Sequence, residues 1–358
     1  MYVMNKVLSK SSIASFQRSL LEFYSQSNEI KPWKIDNNPY KIWVFEVVMQ
    51  QTRMEQGLPY FERLITKFPS IKDLAIARED DLFAVWKGLG YYSRARNLQF
   101  TAKYIVNELK GKFPSSYLEL LRLKGVGEYT AAAISSFSFN EDVAVLDGNV
   151  HRVLSRIFGI ERTIQSSTDK RYFHDLANQL LLIGKAAIFN QAMMDLGSSV
   201  CKPQNPICLN CSFSHNCYAY QKDKISNFPP KKIRPDLKKR FFYCLFIEYK
   251  GRIYLEKRIK NDIWKGLYQG MVQEGEEIDY KFWADKNVNI SKAIWAETLS
   301  QVLSHQKIFM KMAIIKVVKT SLDMRNFFDI EDLTTIAMPR IVSRWWESEL
   351  KNKDRYKK

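Results

Sequence analysis

The sequence contains no apolar run of the eighteen or more residues that a membrane span requires. Its opening, MYVMNKVLSKSSIASFQRSL, lacks both a continuous apolar core and a small-residue cleavage site, so export is not expected and the chain reads as cytoplasmic. In a bacterial cell that would place it at the nucleoid. Cysteine is scarce, with five in 358 residues, and a reducing compartment gives disulfides no support. Acidic residues are also in deficit: 38 Asp and Glu stand against 55 Lys and Arg, a formal net charge of +17. Such a field draws polyanions, of which nucleic acid is the commonest in a cytosol. Basic ribosome-associated and membrane-surface proteins share that charge. The interleaving of Lys and Arg with 13% aromatic residues favours nucleic acid over them.

What is present suffices for two cores, since 46% of the residues are hydrophobic. Phe16, Leu20, Leu21 and Tyr24 fall at helical spacing, as do Tyr60, Phe61, Leu64, Ile65 and Phe68. No convincing alternating strand interrupts this pattern through Asp195, so an all-α domain is expected over residues 1–220. Residues 221–240, QKDKISNFPPKKIRPDLKKR, are rich in Pro and Lys without periodicity and read as a linker. Beyond it, FFYCLFIEY, GRIYLEKR and MKMAIIKVV carry the β-branched and aromatic density of strands, while SKAIWAETLSQVL (291–303) reads as a helix. An α+β domain is therefore expected over 241–350, with a basic, solvated tail at 351–358.

Four of the five cysteines are concentrated at Cys201, Cys208, Cys211 and Cys217, spaced C-x6-C-x2-C-x5-C. A structural zinc site usually presents two short knuckles, and only the central pair is one. Longer outer loops suit a cubane iron–sulfur cluster, with zinc as the alternative. In LRLKGVGEYTAAAI (121–134), Gly125 and Gly127 frame a tight turn between two helices. The N–H groups that open the second helix would face an anion such as a phosphodiester. Glu46 is flanked by Trp43, Val44, Phe45, Val47 and Val48, surroundings that raise a carboxylate's pKa and make it a general acid. The other reading puts Glu46 on an exposed stripe with Gln50 and Arg53. Asp147 precedes a helix and suits an N-cap, or a carboxylate kept ionised by those N–H groups and Asn149 to stabilise a cation. Two carboxylates pushed in opposite directions would suit cleavage at an anomeric carbon.

Taken in order, the motifs are more specific than any one of them. PWK (32–34), EVVMQQTR (46–53), GLGYYSRARNL (88–98), KGVGEYTAAAI (124–134), LDGNVHRVL (146–154), NQAMMDLG (190–197) and the cysteine quartet resemble the adenine DNA glycosylases of the MutY type, in the endonuclease III superfamily. The resemblance implies a helix–hairpin–helix glycosylase domain with a 4Fe-4S cluster on the four cysteines. It implies a monomer acting on double-stranded DNA that carries adenine opposite 8-oxoguanine or guanine, with the adenine extruded into a pocket. Glu46 then matches the acid that protonates the base, and Asp147, with Asn149 beside it, the carboxylate that stabilises the sugar cation. Tyr129 stands where bifunctional relatives carry a Schiff-base lysine, which implies a glycosylase without strand cleavage. Gln51, Leu89 and Tyr91 match residues that fill or wedge the base stack, and Trp33 and Gln191 match pocket positions. Lys34 replaces the arginine usual after the Pro-Trp pair.

The later residues resemble the Nudix-like domain that this family uses to read 8-oxoguanine, through IWKGLYQGMV (263–272) and LSHQ (303–306). Leu303 replaces a phenylalanine there, whereas Ser304 and His305 keep the polar pair. GEEID (275–279) is not followed by the acidic pattern of a Nudix hydrolase, so binding without hydrolysis is implied. Two rivals are an endonuclease III-like enzyme for oxidised pyrimidines and a non-catalytic iron–sulfur DNA-binding protein.

Overall fold

The structure, a computed structural model, describes residues 8–26, 36–231 and 236–351. By its contacts the chain forms two compact units, one of Met1–Ile76 with Asn97–Arg234 and one of Ala77–Arg96 with Pro235–Lys358. The second unit thus takes a twenty-residue segment out of the interval 1–220. None of the helices in the described residues is long and apolar enough to cross a membrane.

The first unit is helical, with no strand among its described residues. Its helices are α1 (Lys10–Ser25), α2 (Pro39–Met49), α3 (Met54–Lys67) and α4 (Ile71–Ile76). Helix α5 (Glu79–Trp86) belongs to the other unit, and α6 (Ser93–Asn107) returns the chain to the first. There follow α7 (Tyr117–Leu120), α8 (Glu128–Phe139), α9 (Gly148–Phe158), α10 (Ser167–Leu180), α11 (Ala186–Asp195) and α12 (Tyr218–Gln221). Helix α2 opens with Pro39 at its first position, and the Asn38 side chain accepts from the amides of Tyr40 and Lys41. Every residue from Ile42 to Val48 is buried, so α2 is a central helix with no polar face. Helix α8 packs on it, while Ala132 and Ala133 on another side of α8 join the core around α9. Around α9, the apolar side chains Val150, Val153, Leu154 and Ile157 join Phe16, Leu20, Phe173 and Phe189 in one core.

In the second unit a six-stranded sheet is built on β1 (Lys238–Tyr249). The further strands are β2 (Arg252–Tyr254), β3 (Glu256–Lys257), β4 (Tyr268–Gln269), β5 (Met271–Glu274), β6 (Leu299–Val302), β7 (Gln306–Lys316) and β8 (Phe327–Asp329). The sheet order is β6-β7-β1-β2-β8, with β5 also on β1, and β3 pairs separately with β4. Only the β1–β7 pair is parallel, and it runs in register from Lys238↔Gln306 to Glu248↔Lys316. Because side chains alternate along β1, Phe242, Cys244 and Phe246 face one core with Trp345 and Trp346 of α14 (Arg340–Lys351). Tyr243, Leu245 and Ile247 face a second core with Trp283 of α13 (Tyr280–Asp285).

Two expectations are corrected. Residues 291–303 are not helical: Leu299–Val302 is strand β6, antiparallel to β7, and its burial alternates with a period of two. Leu299 and Leu303 pack on the α14 side of the sheet, which outweighs the helix-forming composition of that stretch. The 221–240 interval is also not wholly irregular, since its last three residues already pair with β7.

Candidate active site

In the first unit three side chains from three elements surround one point. Glu46 projects from the last turns of α2 and is 4% exposed, which excludes the exposed-stripe reading. The Tyr129 hydroxyl from the first turn of α8 lies near enough to lower the pKa of the Glu46 carboxyl by hydrogen bonding, and Asp147 at the head of α9 adds a repulsive charge. Burial pushes the Glu46 carboxyl from 4.5 up to about 7, against the lowering effect of Tyr129. At neutral pH about half of it therefore carries a proton. The Tyr129 phenol is held well above its ordinary value, first by burial and then by the two carboxylates, and stays protonated. Its hydroxyl also lies 3.4 Å from Met194 Sδ. Gln50 Nε2 donates to Thr130 Oγ1 at 3.2 Å, closing the α2–α8 contact beside the acid.

Asp147 is the N-cap of α9, and its Oδ1 accepts from the Val150 amide at 2.7 Å. Its Oδ2 accepts from Asn149 Nδ2 at 2.9 Å. Sequence reasoning placed its pKa low. Burial instead raises it, and the bonds from Val150 and Asn149 offset part of that rise. Both carboxyls therefore move upwards. The polar pair continues: Asn149 Oδ1 accepts from Arg152 Nη2 at 2.8 Å, and Arg152 Nε donates to the Cys201 carbonyl at 2.8 Å. Gly197 makes this possible, because a Cβ there would lie 2.6 Å from Asn149 Cβ. Sequence reasoning missed Arg152, since its partner Cys201 is 49 residues away and no local spacing signals the contact.

The four cysteines line one cavity of about 30 Å³, with Val153, Ile157 and Phe213 among its walls. Arg156 Nη1 donates to Cys201 Sγ at 3.4 Å and to the Lys202 carbonyl at 2.7 Å. Burial pushes the Cys208, Cys211 and Cys217 thiols up, Cys211 to about 11. Among the described residues no group of three or more His, Cys, Asp or Glu side chains is arranged to hold a single metal ion. The four sulfurs nonetheless line one cavity, a donor set that suits a thiophilic metal centre.

The remaining candidates are more dispersed. Gly125 has φ +82° and its Cβ position meets Asn97 Cβ at 2.7 Å, so only glycine fits the hairpin turn. Gly127 is extended, with φ −92° and open space at its Cβ position, and serves as the N-cap of α8. The sharp turn is therefore the work of Gly125 alone. Gln51 is exposed with φ 58°. Gln191 is buried and donates to Asp195 Oδ1 at 2.8 Å. Trp33 and Lys34 lie outside the described residues. In the second unit Leu89 is only 6% exposed, whereas Tyr91 is exposed with φ 49°. Ser304 and His305 are exposed in the β6–β7 turn, and Ser304 Oγ lies 2.9 Å from Tyr91 Oη.

Residues 44–179 match the model of the HhH-GPD superfamily base excision DNA repair protein. A protein of Buchnera aphidicola subsp. Baizongia pistaciae named adenine DNA glycosylase is 33% identical over 336 residues, 92% of this chain and 95% of its own length. The chain belongs to the adenine DNA glycosylase family. The rat adenine DNA glycosylase is 40% identical over 219 residues, which are 59% of this chain and 42% of the rat protein. The solved structure of a thermostable thymine-DNA glycosylase aligns with this glycosylase at a TM-score of 0.55 and 27% identity, covering 59% of it and 98% of that chain. The helix–hairpin–helix architecture expected for the first unit is thus shared with a solved DNA glycosylase.

Proposed function

We propose that this DNA glycosylase hydrolyses the N-glycosidic bond of adenine opposite 8-oxoguanine or guanine in double-stranded DNA, leaving an abasic site. The observation that carries this reading is a carboxyl raised by burial to about 7 beside a phenol and a helix-capping aspartate. Protonated Glu46 gives its proton to the extruded adenine, which makes the base a neutral leaving group. The ionised Asp147, oriented by Asn149 and the Val150 amide, stabilises the oxocarbenium-like sugar as the bond breaks. Water then adds to the sugar C1′ and gives up a proton, leaving the abasic site. Tyr129 offers no amine, so no Schiff base with the sugar forms and the strand is left intact. Gly125 and Gly127 present the α8 amides to a phosphate, while Gln51, Leu89 and Tyr91 meet the stack opened by base extrusion. Trp33 and Gln191 contribute to the adenine pocket.

Cys201, Cys208, Cys211 and Cys217 would hold a 4Fe-4S cluster. The support is that all four thiols line one cavity and that only the Cys208–Cys211 pair has the short spacing of a zinc knuckle. The group would supply structural cross-linking to the end of the first unit. In the second unit the mixed sheet between α13 and α14 is read as Nudix-like, with Ser304 and His305 contacting 8-oxoguanine. The protein acts as a monomer. Single-turnover excision on duplexes that differ only in the base opposite adenine tests this reading. Adenine should be released from both mispairs, faster opposite 8-oxoguanine, and Ser304→Ala with His305→Ala should erase that difference while sparing A·G. Release that survives Glu46→Gln unaltered would refute the mechanism.

A further inference from the structure

The segment that carries Leu89 and Tyr91 is tied at both ends to the C-terminal residues of its own unit. Before the loop, the Lys87 ammonium donates to the main-chain oxygen of Leu333 at 3.4 Å and to that of Thr334. These carbonyls end the single 3-10 turn Glu331–Thr334, where backbone oxygens have no further helical partner. At the end of the loop, Tyr91 Oη meets Ser304 Oγ at 2.9 Å, and beyond it the Arg96 guanidinium donates to the Lys265 carbonyl. Upstream, Lys257 pairs with Glu79 at 3.1 Å and with Asp80 at 2.8 Å. Between these ties the backbone takes φ 94° at Gly88, 80° at Gly90 and 49° at Tyr91. The last is a costly conformation for a side chain of that size. Trp86 Nε1 and Arg94 Nη2 prop it from within by donating to the Gly90 carbonyl at 2.9 and 3.2 Å.

We infer that Lys87 is a positioning residue, which uses the 331–334 turn as an anchor to hold the Gly88–Tyr91 loop in the conformation that engages DNA. The inference rests on the reading that Leu89 and Tyr91 contact DNA. It gives the C-terminal residues a role in engaging any adenine mispair, separate from the contact of Ser304 and His305 with the opposite base. Lysine suits the task because its ammonium brings several donors to two neighbouring carbonyls at the end of a flexible stem.

The test uses the full chain with its iron loaded. Lys87→Met keeps the stem and removes the donors, and Lys87→Arg restores charge and donors. Amide hydrogen exchange is followed at residues 88–92 and, as a control, in β1 and β7. Duplex affinity and single-turnover excision are measured with A·8-oxoguanine and with A·G. For Lys87→Met the expected result is exchange at 88–92 faster by about tenfold, unchanged exchange in β1 and β7, and affinity for both duplexes weaker by about tenfold, as the loss of a charge-assisted hydrogen bond allows. Lys87→Arg should recover most of both. Unchanged exchange at 88–92 would overturn the inference, as would a rise spread through the sheet or a loss confined to A·8-oxoguanine. A wild-type protein inert on both mispairs would instead overturn the proposed activity, and the exchange data alone would then decide the role of Lys87.

Discussion

Glu46 shows how a site residue can oppose the fold that contains it. Its carboxyl is raised from 4.5 to about 7, so the folded state binds a proton that the unfolded chain releases at lower pH. The stability it contributes is complete below pH 4.5 and is lost as the pH climbs through about 7, a difference on the order of 3 kcal/mol. Glu46→Gln should therefore unfold at a higher temperature than wild type at pH 8 and at a similar one near pH 4.5, while excision falls by roughly 10²–10⁴-fold. Scanning calorimetry at the two pH values, with excision assays beside it, checks both halves. The excision rate of the wild type should fall on the alkaline side near pH 7, where Glu46 loses its proton, and on the acid side as Asp147 gains one. Tyr129 lowers the Glu46 value by hydrogen bonding, so Tyr129→Phe should move the alkaline limb to higher pH. A pH–rate profile of that variant with the limb unmoved would count against the hydrogen bond. Glu46 stood out in the sequence because charge among five apolar neighbours is costly anywhere. The direction of the Asp147 shift did not, because it depends on how tightly α2, α8 and α9 close over that cap.

Among the elements, the hairpin and α9 bear most directly on the site. Gly125→Ala forces a Cβ against Asn97 at φ +82°, whereas Gly127→Ala meets open space at an ordinary φ. The first should weaken DNA binding and cost more than about 1 kcal/mol of stability, and the second should leave stability within about 0.5 kcal/mol. Denaturant titration and duplex affinity of the two variants make the comparison. Both glycines look alike in the motif GVG, and only the backbone angles separate them. Gly197→Ala should displace Asn149, loosen its hold on the Asp147 carboxylate and slow excision with both carboxyls still present, which single-turnover rates would show. Helices α2 and α9 were legible from apolar density and capping residues. Strand β6 was not, since AETLSQV reads as a helix until β7 offers it a partner.

For the whole molecule, the composition change at 221–240 marked where the helical unit gives way to the sheet. Nothing in the composition of 77–96 marks its membership of the second unit, because its partners lie far along the chain. A protein ending after residue 231 should therefore be cut by protease within 77–96 much faster than the full chain, a comparison that peptide mapping makes directly. The separation of Lys87 from Leu333 is 246 positions, and of Tyr91 from Ser304 is 213. During synthesis at roughly 5–20 residues per second, the Gly88–Tyr91 loop would leave the ribosome more than about ten seconds before its anchor exists. For that interval a growing chain would expose α5 without its final neighbours, and a ribosome stalled before residue 330 would release a product unable to mature at that loop. The long-range tie at Lys87 thus makes synthesis of residues 331–334 a condition for finishing a loop encoded about 240 residues earlier.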